Sequence, residues 1–135
     1  MRKEGLVVVT IAVIVFVVSC KNSVSASKME AGKKVYATNC LGCHMDNGMG
    51  VPRMNPPLVN SPYVMGHPNS LIELVLRGSE FFGTTERSYN NQMASFHALS
   101  DSEIADLLTY IRNTYAKTGD EIKTDEVKNV RAKLK

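Results

Sequence analysis

Five consecutive residues, Cys40-Leu41-Gly42-Cys43-His44, constrain this 135-residue chain more than any other stretch. They read C-x-x-C-H, the spacing that attaches a c-type haem. Each thiol can add to one vinyl group of the porphyrin, and the imidazole that follows can reach the iron from the proximal side. Both sulfurs and the nitrogen must then come from one short loop. Other uses of a cysteine pair fit less well. A structural zinc site wants four N/S ligands, whereas His67 and His97 stand alone in the sequence. A thioredoxin-like redox pair sits beside a βαβ pattern, and none is present here.

The length suits one domain. With Cys20 near the N-terminus, the three cysteines do not make a disulfide framework. The formal charge is +3, and without Arg2, Lys3 and Glu4 it is 14 basic against 12 acidic residues. No basic run with interleaved aromatics occurs, so nucleic acid is not an expected partner.

Arg2 and Lys3 precede an apolar run from Gly5 to Val18, interrupted only by Thr10. These 14 residues fit the apolar core of a secretory signal and fall short of a membrane span of about 20. A short uncleaved anchor helix is the other reading. Val17-Val18-Ser19-Cys20 resembles the bacterial lipoprotein signal, which implies that residues 1–19 are removed and that Cys20 carries lipid. More than one acyl chain gives stable anchoring. Residues 20–28, rich in serine, then read as a flexible tether.

A first helix is expected from Ser27 or Lys28 to about Asn39, with Gly32 and Tyr36 on one face. A helical glycine costs roughly 1 kcal/mol against alanine, which close approach of a second helix would explain. Residues 45–64 read as loop, broken by Gly48, Gly50, Pro52, Pro56, Pro57 and Pro62. Ser70 to Arg77 reads as a short buried helix with a capping box from Ser70 to Glu73 and Gly78 as terminator. Residues 79–98 are irregular again. Leu99 to about Tyr115 is the best-signalled helix. Ser100 and Glu103 form a capping box, and Ile104, Leu107, Leu108 and Ile111 recur at helical spacing. The tail, 117–135, is expected to be a solvated appendage. It has a short helix capped by Thr124 and packs through Val127, Val130 and Leu134.

From about Met29 to Tyr115 these features resemble class I (monohaem) c-type cytochromes. The shared features are Gly32 and Tyr36 before Cys40–His44, the Pro56-Pro57-Leu58 loop, and Tyr89-Asn90-Asn91-Gln92-Met93 before the last main helix. The resemblance implies an all-α, cytochrome c-like fold: three main helices and long loops around one covalent haem c, in a domain over 29–116. It implies thioethers at Cys40 and Cys43, His44 as proximal iron ligand and Met93 as distal ligand. Pro56, or Pro57 if the loop shifts, would accept a hydrogen bond from the His44 ring. Leu107 and Tyr110 would cross the first helix at Gly32 and Tyr36. Asn91 stands where the family has glycine, and Ala94 where it has proline, so the Met93 loop is expected to be mobile. Met54, Met65, His67 and His97 are rival distal ligands, His97 foremost.

The expected function is one-electron transfer in the cell envelope, on the periplasmic or extracytoplasmic face. The chain would be held by lipid and serve a dehydrogenase, reductase or terminal oxidase, alone or as the electron-entry subunit of a larger oxidoreductase. A haem enzyme or gas-binding cytochrome with a labile distal ligand is the first rival. A non-haem interaction domain is the second.

Overall fold

The computed structural model describes residues 24–79 and 89–134. The apolar leader, Cys20 and most of the serine-rich tether lie outside the described residues. Ser25 ends the extended entry segment and caps α1 (Ala26–Asn39), its hydroxyl accepting from the Lys28 N–H. Cys40 closes α1 and opens α2 (Leu41–His44), a single turn. A loop leads to α3 (Pro62–Met65) and α4 (Pro68–Arg77). The long helix α5 (Asp101–Ile111) runs on through a wider π turn over Arg112–Ala116. Helix α6 (Thr124–Lys133) closes the chain. Among the described residues the one β-type pairing is an isolated bridge between Val51 and Asn55, so the fold is all-α.

The main packing is α1 against α5. Gly32 makes it close: a Cβ there would sit 2.6 Å from the Tyr110 Cβ and collide with the Asp106 carbonyl oxygen. Tyr36 and Tyr110 pack one turn away as tilted rings, with centroids 5.5 Å apart, and Tyr115 joins them at 5.7 Å from Tyr36. The crossing partners of Gly32 are therefore Asp106 and Tyr110. Leu107 is turned instead toward the cavity described below.

The Ser100–Glu103 capping box forms in both directions: the Glu103 N–H donates to Ser100 Oγ and the Ser100 N–H to Glu103 Oε2 at 2.8 Å. The box expected at Ser70 does not form. Helix α4 begins earlier, at Pro68, whose fixed φ suits the first helical position, and His67 Nδ1 caps it by accepting from the Asn69 N–H. Glu73 pairs with Arg77 instead, at 3.2 Å. Pro62 likewise starts α3 rather than breaking the chain. Thr124 is the first residue inside α6, not its cap; the Lys123 N–H donates to Glu126 Oε2 at 2.7 Å.

The tail is not an appendage. Ile122 and Val127 are fully buried, and α6 packs on α5 and α4. Arg131 fastens it, donating to Asp101 and to the carbonyls of His97 and Leu99. Arg112 does similar work from the π turn. It is buried, pairs with Asp120, and donates to the carbonyls of Val64 and Gly66. Each guanidinium satisfies several acceptors at once, a task its fixed fork of donors suits.

Candidate haem site

Between α4, α5 and the two long loops lies a cavity of about 610 Å³. Its apolar wall includes Leu71 and Val75 from α4, Leu107 and Ile111 from α5, and Phe96. Cys40, Cys43 and His44 enter from one side and Met93 from the loop before α5. Two sulfurs, an imidazole and a thioether thus converge on a largely apolar space. That donor set and shape suit a flat porphyrin bound through its edge and its iron.

Local structure explains how the attachment residues are presented. The single turn α2 is closed by the Cys43 and His44 N–H groups, both donating to the Cys40 carbonyl. Cys40 is buried while Cys43 is exposed, so the pair spans from the core to the surface. Burial, then neighbouring Cys43, pushes the Cys40 thiol up to about 12. Such a thiol is not a thiolate near neutrality, which argues against a reactive redox pair. Among the described residues no group of three His, Cys, Asp or Glu could hold a metal ion, so zinc finds no closed ligand set.

His44 Nδ1 lies 3.2 Å from the Pro56 carbonyl oxygen. That contact fits a ring whose Nδ1–H donates to Pro56, leaving Nε2 as the free lone pair. Burial holds the imidazole below its usual range, against the opposing Pro56 bond, so the neutral form that a metal requires prevails. The next residue is strained: Met45 has φ 62°. Its carbonyl accepts from the Tyr36 hydroxyl at 2.5 Å, and that of Asp46 from the Tyr115 hydroxyl at 2.9 Å. Two tyrosines of the helix crossing therefore hold the turn that follows His44.

Of the five candidate distal ligands, Met93 alone lines the cavity. His67 is engaged as the α4 cap, and His97 is exposed beside Ser95. Met54 and Met65 are exposed. Two hydrogen bonds join Met93 to Ser79. The Met93 N–H donates to Ser79 Oγ at 2.8 Å and the Ser79 N–H to the Met93 carbonyl at 3.0 Å. Gly78, at φ 80°, lets the strand of chain pass: a Cβ there would lie 2.6 Å from that same carbonyl. Ser79 was not legible as a site residue, because its partner lies 14 positions away. The same holds for Asn55, which bridges the Cys43 carbonyl and the Asn91 side chain.

This fold and site define a haem-binding, electron-transferring class of protein. The sequence matches the family described as Cytochrome c over residues 29–115. It is 36% identical over 114 residues to cytochrome c-552 of Thermus thermophilus, covering 76% of this chain and 85% of that one. It is 40% identical over 84 residues to the cytochrome c subunit of the quinone alcohol dehydrogenase of Gluconobacter oxydans, covering 61% of this chain and 18% of that subunit. The chain thus spans nearly all of one relative and under a fifth of the other. It belongs to the cytochrome c family: an electron-transfer protein with covalently bound haem c.

Proposed function

We propose that the chain is a lipid-anchored, one-electron carrier of the cell envelope, with thioethers at Cys40 and Cys43 and an iron held between His44 and Met93. The observation that carries the ligation is the pairing of His44 Nδ1 with the Pro56 carbonyl, with Met93 on the same cavity. The covalently held haem supplies the redox chemistry, its iron alternating between ferrous and ferric.

The chain supplies the rest. Pro56 fixes the His44 ring and raises its basicity as a ligand. A thioether opposite an imidazole raises the reduction potential relative to two imidazoles. His44 and Met93 would hold the iron from the protein, beside the apolar side chains of the cavity, so little would need to rearrange when the charge changes. Exposed Cys43, with Leu41 and Met49 also exposed nearby in sequence, marks the edge at which an electron enters and leaves. Redox encounters of this kind bury little surface, below about 1,200 Å².

The donor we propose is a dehydrogenase of the envelope, on the analogy of the alcohol dehydrogenase subunits that share this domain. Lipid on Cys20 would keep the carrier beside it. The optical spectrum of the purified ferric protein tests the ligation. A methionine–iron charge-transfer band is expected, lost in Met93→Ala; a high-spin ferric spectrum in the wild type would overturn it. Labelled fatty acid should enter the wild-type chain and not Cys20→Ala; equal labelling of both would remove the anchor.

A further inference from the structure

One buried side chain bridges the two faces of the site. Asn55 is 9% exposed. Its Nδ2 donates to the Cys43 carbonyl at 3.1 Å, and its Oδ1 accepts from Asn91 Nδ2 at 2.9 Å. The orientation is forced: a carbonyl can only accept, so the amide nitrogen must face Cys43 and the oxygen must face Asn91. Two backbone bonds reinforce the link, from the Asn90 N–H to the Arg53 carbonyl at 2.9 Å and from the Asn91 N–H to the Met54 carbonyl at 3.1 Å. Asn91 precedes Met93 by two residues. On the other side Met93 is tied to Ser79, its N–H donating to Ser79 Oγ and its carbonyl accepting from the Ser79 N–H.

We propose that Asn55 is a positioning residue: through one amide it couples the haem-attachment turn to the Met93 loop and holds the thioether on the iron. The inference rests on Met93 being the distal ligand. It explains how a loop with Ala94, in place of a rigid proline, keeps its place. The restraint is a cross-link to the proximal turn instead of a fixed φ in the loop itself. Asn91 has the matching reach, because its side chain, unlike glycine's hydrogen, can hold the other end of the bridge.

The test uses the purified ferric holoprotein and imidazole as probe. Asn55→Leu removes both bonds at similar volume. Asn91→Ala cuts the same bridge from its exposed end, where folding is least at risk. Losing a buried polar bridge is expected to tighten imidazole binding about tenfold and to weaken the methionine–iron band. Because Asn55→Leu already removes the bond that Asn91→Ala cuts, the double variant should bind imidazole about as tightly as Asn55→Leu alone. Asn113→Ala is the control. Asn113 donates to the carbonyls of Thr109 and Asp120 at 2.8 and 2.7 Å, away from the cavity, and its loss should lower Tm while leaving band and affinity unchanged.

If Asn55→Leu yields no holoprotein, Asn91→Ala decides the matter. A band and an imidazole affinity like wild type in Asn91→Ala would overturn the proposal, as would equal spectral loss in Asn113→Ala. A wild-type ferric protein without the band overturns the Met93 assignment itself, and this role for Asn55 falls with it.

Discussion

The α1–α5 crossing and the cavity wall are built from the same kinds of apolar side chain, and one helix contributes to both. At the crossing, protein meets protein. Gly32 lets the helices touch, and three tyrosine rings pack together. At the wall, Leu107, Ile111, Leu71 and Val75 line the cavity. The first region is packed by protein alone; the second has the apolar lining that a porphyrin would cover, so attachment and folding are expected to be coupled on that side. The turn after His44 joins them, because Tyr36 and Tyr115 reach from the crossing to hold it.

The sharpest way to break this contrast is to remove attachment. The cavity of about 610 Å³ is walled by apolar side chains, which lose their packing partner when haem is not attached. Cys40→Ser with Cys43→Ser should therefore lose covalent haem and most of its helical circular dichroism. A colourless double variant with a native spectrum would show that the wall closes without haem.

Gly32→Ala attacks the other region. Its methyl has no room against Asp106 and Tyr110, and about 3 kcal/mol should be lost in denaturant unfolding of the holoprotein. The methionine–iron band should persist, since the haem side is untouched. Tyr36→Phe probes the seam. Removing the hydroxyl leaves the Met45 carbonyl without that donor, at a cost of about 1–2 kcal/mol. Here stability and potential should both move, unlike in Gly32→Ala; an unchanged potential would separate the two regions fully.

The smallest expected effect is on acid stability. Hydrogen bonds from Arg112 hold the Asp120 carboxyl below its ordinary value of 3.8. A depressed carboxyl stabilises the fold above its unfolded pKa, and the contribution is lost as pH falls through the lower folded value. Asp120→Asn should therefore lower Tm near neutrality and flatten its decline below about pH 4. Parallel Tm curves for the two proteins would mean that the pair adds nothing.

Much of the site was legible because its determinants are local. Cys40, Cys43 and His44 lie within one turn, so spacing alone marks them as the candidates for haem attachment. Ser100 and Glu103 cap α5 across three residues, and Gly32 with Tyr36 announces a close crossing. The competing caps show where local reading fails. Ser70 and Glu73 have the right spacing, but Pro68 fixes a helical φ earlier and moves the start to His67. Ala94 suggested a mobile loop; the hydrogen bonds that Ser79 and Asn55 make to it join residues 14 and 36 positions apart, beyond local reading.

The sequence by itself determined the chemistry: two thiols and an imidazole at one spacing, with a capped helix and a glycine face to frame them. Only the tertiary structure decided which of five ligands faces the cavity, how the Met93 loop is restrained, and that the tail is core. The reason is physical. Covalent spacing and helix periodicity act within a few residues, while burial and hydrogen-bond satisfaction are settled between residues that meet only when the chain is folded.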